Sequence, residues 1–285
     1  MIEAKVIADS VSQAGARITT LQLKYPRFIH SEFLTHRAFS RNSSSSRAIP
    51  VSKMIEQVRN DPAMPVHWGL NQAGMQAESE VSDKEAAESA WRNSAMLAAD
   101  CAATLNGLGL HKQVVNRVLE PFQYMHTVIT ATEWDNFFEL RRHKDAQPEI
   151  QALAEAIYNA IQSSSPKQSD YHLPYIEDGR FESLAYEIKT SNINDTPLSK
   201  AEHDAYKHLA KLSAARCARV SYLKHDGTNP SEGDDLKLFE RLVGSRPLHA
   251  SPTEHQAVAL RQANKACRNF YGWEQFRVFV ESSLR

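Results

Sequence analysis

Apolar Val6, Ile7 and Ala8 follow Lys5, and Ile18, Leu21 and Leu23 are the apolar members of Arg17–Leu23. The two stretches read as short strands, joined at Gly15. The spacing then changes. Phe28, Ile29, Phe33 and Leu34 follow Pro26 at helical spacing, and proline is tolerated in a first helical turn, so His36 and Arg37 fall at the C-terminal end of this helix. The serine-rich stretch beyond it reads as a loop. Met54, Ile55 and Val58 share one side of a short helix opened by Pro50 and Val51, and residues 60–80 read as a surface excursion. Ser82 with Glu85 has the pattern of a capping box, and Ala87, Trp91, Ala95, Ala98, Ala102 and Leu105 hold one apolar face as far as Gly107.

The second half continues in the same mixed style. A helix over His111–Leu119 is expected to stop before Pro121, Met125–Ala131 reads as a strand, and Glu133–Arg141 returns to helical pattern. Pro148 opens another helix lined by Ile150, Leu153, Ile157 and Ile161. Polar and turn residues dominate 162–194, which reads as a linker or substrate-facing loop. An alanine-rich helix over Lys200–Arg216, a turn at Asp226 and Gly227, a helix over Glu232–Val243 and a strand in HQAVAL complete the chain. The expected fold is α/β (α+β), a mixed or antiparallel sheet with flanking helices. It forms a single domain over 1–285, with parts at 1–161, 162–198 and 199–285.

Composition narrows the function more than the fold. With 285 residues, 42% of them hydrophobic, the chain can bury a sizeable core. Its 33 Lys and Arg against 34 Asp and Glu leave a formal charge of -1, so any anion site must be local, and no global field favours nucleic acid. Three widely spaced cysteines without CxxC spacing argue against a disulfide framework and fit a reducing, cytoplasmic setting. No stretch has the length and apolarity of a membrane span, and no histidine spacing suits a bound metal. GxSxG and GxGxxG are both absent, and no cysteine has an evident activating environment.

Local chemistry concentrates in THRAFSRNSSSSR, Thr35 to Arg47. His36, Arg37, Ser40, Asn42, Ser45 and Arg47 place guanidinium, imidazole and hydroxyl groups at a helix-to-loop junction. Planar guanidinium forks with loop hydroxyls and amides suit phosphate, whereas the bland alternative is a solvated serine loop. This segment resembles the signature RHRxxSxNxxSxR of the flavin-dependent thymidylate synthases, with Thr35 in place of the first arginine. HKQVVNRVLEP, with Arg117 four residues before Pro121, is similar to that family's REQARxxLP. TATEWDNFFELRRHKDAQPEI resembles its NxRxxxNFLxLRxxxxAQxEI at Asn136, Arg141, Ala146, Gln147, Glu149 and Ile150, with Thr130 and Thr132 where the family has asparagine and arginine. ARCARVSY followed by HASPTEH resembles segments that stand first in ordinary members but late here, which implies a circularly permuted or rearranged order.

The resemblance implies an enzyme that methylates dUMP to dTMP, with FAD, methylenetetrahydrofolate and NADPH, as a homotetramer with shared active sites. By it, Arg141 is the catalytic residue, lying against the uracil and promoting ionisation at N3, with Arg142 as the competing assignment. Glu32, Ser45, Arg47 and Arg117 join it at the nucleotide, and His36, Arg37, Asn42, Thr130, Thr132, Asn136, Ser251 and Glu254 are the implied FAD contacts. Two other readings stay open. One is flavin- and folate-dependent hydroxymethylation or another C5 modification of a pyrimidine nucleotide. The other is a noncatalytic nucleic-acid-binding module clamping phosphates with Arg37, Arg41 and Arg47, against which the near-neutral charge counts.

Overall fold

A computed structural model describes residues 1–191, 198–220, 228–244 and 246–283. The chain opens with β1 (Glu3–Val11) and β2 (Arg17–Pro26), an antiparallel pair whose turn places Gly15 at a φ of 86°, a left-handed conformation that suits glycine. β3 (Ser40–Ser43) and β4 (Tyr124–Ala131) extend the sheet on one side and β5 (Lys167–Gln168) on the other, in the order β3-β4-β2-β1-β5. Only the β1–β5 contact is parallel, so the sheet is mixed.

Helices cover the sheet where the apolar period demands it. α1 (His30–Phe33) and α2 (Val51–Asn60) precede the long α3 (Lys84–Gly107). After α4 (Lys112–Val115) and α5 (Asp135–Arg141), α6 (Pro148–Gln162) buries Ile150, Leu153, Ala154, Ile157 and Ile161 in one core with Leu21, Leu23, Tyr25 and Ile129 of the sheet. A second core joins Val51, Met54 and Val58 of α2 to Ala95, Ala99 and Ala102 of α3.

The C-terminal part adds α7 (Arg180–Ser191), α8 (Leu198–Arg219), α9 (Glu232–Val243) and α10 (Phe276–Ser282). It also holds a small sheet of β10 (Trp273–Gln275), β7 (Ala257–Ala259) and β6 (Tyr171–His172), and a ribbon of β8 (Ala266–Cys267) with β9 (Phe270–Tyr271). Asp235 of α9 is fully buried and takes both Arg216 and Arg219 of α8, so two arginines of the ARCAR stretch anchor one helix on another. The expected turn at Asp226 and Gly227 lies outside the described residues.

Five expectations need correction. The helix after Pro26 is a 3-10 turn, Arg27–Ile29, followed by the single turn of α1. Part of the serine-rich stretch is a strand: β3 pairs with β4, and the Ser43 and Thr127 hydroxyls meet at 2.9 Å, a cross-strand polar pair that offsets poor strand propensity. The cap of α3 is Asp83, whose carboxylate accepts from the Ala86 N–H, rather than Ser82. Pro121 has no N–H and cannot sustain a regular α ladder, so the chain tightens after α4 into 3-10 turns over Asn116–Phe122. Residues 162–191 carry β5, β6 and α7 instead of a structureless linker.

Candidate functional site

Arg141 ends α5, so its side chain leaves the last helical turn and reaches back to α1. Its Nε–H donates to His36 Nε2 at 2.7 Å, one Nη pairs with Glu32 Oε1, and the other lies 3.5 Å from Thr35 Oγ1. Accepting at Nε2 requires neutral His36, and burial, reinforced by the charges of Arg141 and Arg41, lowers its pKa to about 4. The aromatic core beneath orients the imidazole edge-on to Phe137, with ring centroids 4.9 Å apart. Arg142 is engaged elsewhere, bonded to Glu155 at 2.8 Å and stacked 3.7 Å over the Tyr158 ring.

Two concavities meet at Arg141. A groove of about 1260 Å³ includes Glu32 and Arg141 in its wall, together with Phe28, Trp91 and Lys144. Its far side is the 60–80 excursion, held down by Glu149, a buried carboxylate that accepts from the Val66 N–H at 2.7 Å. A smaller cavity of about 270 Å³ is bounded by His36, Arg37, Asn136 and Arg141. Arg37 is exposed, and its side chain has no hydrogen bond or ion pair to a described residue.

Ser45 and Arg47 form a different group with Arg117. Asn116, fully buried, donates from Nδ2 to the Ser46 carbonyl at 2.7 Å and to the Ile49 carbonyl at 3.2 Å, pinning the serine loop beside the turn that bears Arg117. Arg47 is exposed, and Arg117 pairs with Glu120, which also takes Arg27. Neither Arg47 nor Arg117 lines the Arg141 groove, and no hydrogen bond or ion pair among the described residues links them to Arg141.

A third meeting point joins residues far apart in sequence. The 3-10 turn Ser251–Glu254 packs on β3, which brings Ser251 and Glu254 to the strand that carries Asn42. Asn42 Oδ1 is buried without a donor among the described residues, Ser251 is exposed, and Glu254 is paired with Arg277. Thr132, partly buried, accepts at Oγ1 from the Tyr271 N–H at 3.0 Å. Thr130 is different. Its hydroxyl is fully buried between Thr20 Oγ1 at 2.6 Å and His255 Nδ1 at 2.8 Å, so it faces the core rather than a ligand.

The sequence pattern gave no role to Asn116 and Glu149, though both stood in quoted motifs, and passed over Asn269 and Gln275. The last two hold Ser40 Oγ at 3.2 Å each and fasten the C-terminal part to the signature segment. Asn116 stood inside a quoted motif among apolar neighbours, a placement that itself marks a polar group needing a buried partner. Asn269 and Gln275 had no comparable signal. Cys217 is fully buried, which pushes its thiol up and away from thiolate chemistry. Among the described residues no helix is long and apolar enough to cross a membrane.

Fold and site together define an α/β protein with a mixed sheet, in which an arginine is clasped by a carboxylate and an imidazole on the wall of a large groove. The model of the family described as thymidylate synthase complementing protein, Thy1, matches residues 16–167. That span exceeds half the chain and includes the first three resembling segments, and the chain belongs to this family, the flavin-dependent thymidylate synthases. Similar solved structures include a UMP/dUMP methylase, PolB, from Streptomyces cacaoi, bound with 5-Br dUMP. It has 16% identity, a TM-score of 0.48, and coverage of 56% of this chain and 90% of that one. The same methylase bound with 5-Br UMP has 17% identity, a TM-score of 0.47, and coverage of 56% and 88%. Comparison with curated proteins returns no match.

Proposed function

We propose that the protein methylates dUMP to dTMP, with methylenetetrahydrofolate as carbon donor, reduced FAD as hydride donor and NADPH as the source of electrons. The observation that carries this reading is Arg141 on the groove wall, held by Glu32 and His36 inside the family-matched span. Uracil C5 is a poor nucleophile until charge enters the ring. A guanidinium fixed against N3 and an adjacent carbonyl stabilises the ring anion and so raises the nucleophilicity of C5. No covalent cysteine is needed for this, which accords with the burial of Cys217.

The residues fit a flavin nucleotide. Asn42 supplies a buried amide oxygen lacking a donor, Arg37 a free guanidinium and Ser251 an exposed hydroxyl, a set suited to a ligand with both N–H groups and phosphates. Arg37, Asn42, Thr132, Asn136, Ser251 and Glu254 would hold it, and when bound it would supply the hydride. Arg47 and Arg117, on their own junction, would take the substrate phosphate. Their separation from Arg141 within one chain supports a site shared between subunits, as in a homotetramer.

The test is an absorbance spectrum of the purified protein followed by turnover of 5-deuterated dUMP with methylenetetrahydrofolate and NADPH. Flavin absorbance and a product of dTMP mass are expected. A product heavier by one oxygen would replace methylation by hydroxymethylation, and a colourless protein inert toward dUMP would reject the reading.

A further inference from the structure

The groove beside Arg141 encloses about 1260 Å³, more than the roughly 300–1,000 Å³ of a pocket that takes one drug-sized ligand. A pyrimidine nucleotide at Arg141 does not fill it. The remainder has an apolar side, where Phe28 and Trp91 stand edge to face with ring centroids 6.2 Å apart and Pro65, Val66 and Met75 lie near them. Trp91 is fixed by its Nε1–H, which donates to the Ala63 carbonyl at 2.9 Å. Phe28, Val66 and Met75 are exposed although large and apolar. The outer wall is a built hairpin: the Leu70 N–H donates to the Ser79 carbonyl at 2.6 Å, the Val81 N–H to the Trp68 carbonyl at 2.8 Å, and a Cβ on Gly69 would collide with Ala77. Gln76 Nε2 ties the hairpin to the Asp145 carbonyl at 2.9 Å, across from its base.

Most charged side chains on the lining already have partners. Arg141 takes Glu32, Glu149 takes the Val66 N–H, Glu155 takes Arg142, and Asp145 lies 3.5 Å from His143. Lys144 and Glu78 differ: both line the groove, both are exposed, and neither has a hydrogen bond or ion pair to a described residue. A cation and a carboxylate without partners, together with an aromatic side, define a ligand that carries rings, N–H donors and a carboxylate of its own.

We propose that the compartment between the hairpin and Trp91 binds the carbon donor, a placement that rests on the dUMP and methylenetetrahydrofolate reading above. A one-carbon donor must adjoin the site where its carbon is used, and this compartment shares the groove with Arg141. The reduced folate has the matching polarity. Its pteridine carries adjacent amino and N–H donors at one end, its aminobenzoyl ring lies in the middle, and its glutamate carboxylates stand at the other. Glu78 accepts from the pteridine donors, the rings lie against Phe28, Trp91 and Val66, and Lys144 pairs with a glutamate carboxylate.

The test is calorimetric binding of 5-formyltetrahydrofolate, a reduced folate with no methylene to transfer, to the full-length flavoprotein and to Lys144→Gln and Glu78→Gln. Both side chains are exposed, so neither substitution threatens folding. Each variant should bind the folate about tenfold more weakly, the scale of a lost charge-assisted hydrogen bond. Affinity for dUMP should stay within about twofold of wild type, and flavin content should not change. Tetrahydropteroate, which lacks the glutamate, separates the two ends: Glu78→Gln should weaken it about tenfold and Lys144→Gln should leave it unaffected. Folate affinity within about twofold of wild type in either variant, or dUMP affinity falling in step with it, would overturn the placement, while turnover of dUMP to dTMP would leave the reaction intact. Wild type that binds no reduced folate would overturn both.

Discussion

A fall in pH should unfold this protein through two histidines buried in its core. Ser10 Oγ, His172, Thr20, Thr130 and His255 form one unbroken hydrogen-bonded chain, with steps of 2.9, 2.8, 2.6 and 2.8 Å. It runs from β1 through β6, β2 and β4 to the segment behind Ser251–Glu254, so it ties the C-terminal part to the main sheet. Neither imidazole has exposed surface, and burial lowers both pKa values to about 3, with His172 further resisting protonation of His255.

The unfolded chain titrates these histidines near 6.5 and the folded chain near 3, so below 6.5 the unfolded state binds more protons. The stability from neutral burial is therefore complete above the unfolded pKa and is lost as pH falls toward the folded one. At pH 5, 1.5 units below the unfolded value, each histidine costs about 2 kcal/mol, and the pair costs about 4 kcal/mol. That is a large share of the roughly 5–15 kcal/mol of a typical domain. Urea unfolding at pH 7 and pH 5 would measure the loss. In His255→Asn, which keeps a polar atom toward Thr130 but cannot titrate, the loss should shrink by about 2 kcal/mol. Equal pH dependence in wild type and variant would refute the assignment, as would a wild type whose stability changes by less than about 1 kcal/mol.

Three further substitutions separate the roles of neighbouring residues. Arg141→Ala should retain flavin and lose about 10²–10³ in kcat, the usual scale for a removed charge stabiliser. NMR titration of the same variant should find the His36 pKa raised from about 4 toward its ordinary value, since the charge of Arg141 helps depress it. Thr130→Val should cost about 1–3 kcal/mol in urea unfolding, because Thr20 and His255 each lose a buried partner, yet keep the wild-type flavin content. Flavin lost from folded Thr130→Val would instead place the hydroxyl at the cofactor. Asn116→Ala removes the bonds to the Ser46 and Ile49 carbonyls that hold the loop bearing Ser45 and Arg47, and should raise KM for dUMP about tenfold with a smaller change in kcat.

Elements whose periodicity is local were legible before any coordinate. α2, α3 and α6 follow from apolar spacings of three to four, because each such element must turn one apolar face inward, and β1, β2, β4, α8 and α9 follow from the residue types of their own segments. Quoted motifs likewise singled out His36 and Arg141 as chemistry-bearing residues, and the family resemblance added Glu32. What the chain pattern could not contain was pairing at a distance. SRNS resembles a loop until β4 supplies its ladder, and residues 180–191 look polar because α7 buries little beyond Ala185. Only the tertiary structure placed Arg141 between Glu32 and His36, residues more than a hundred positions earlier, and turned Thr130 into the core. Such contacts depend on which faces meet after folding, and a sequence specifies faces one element at a time, whereas charge and hydrogen bonding act between them.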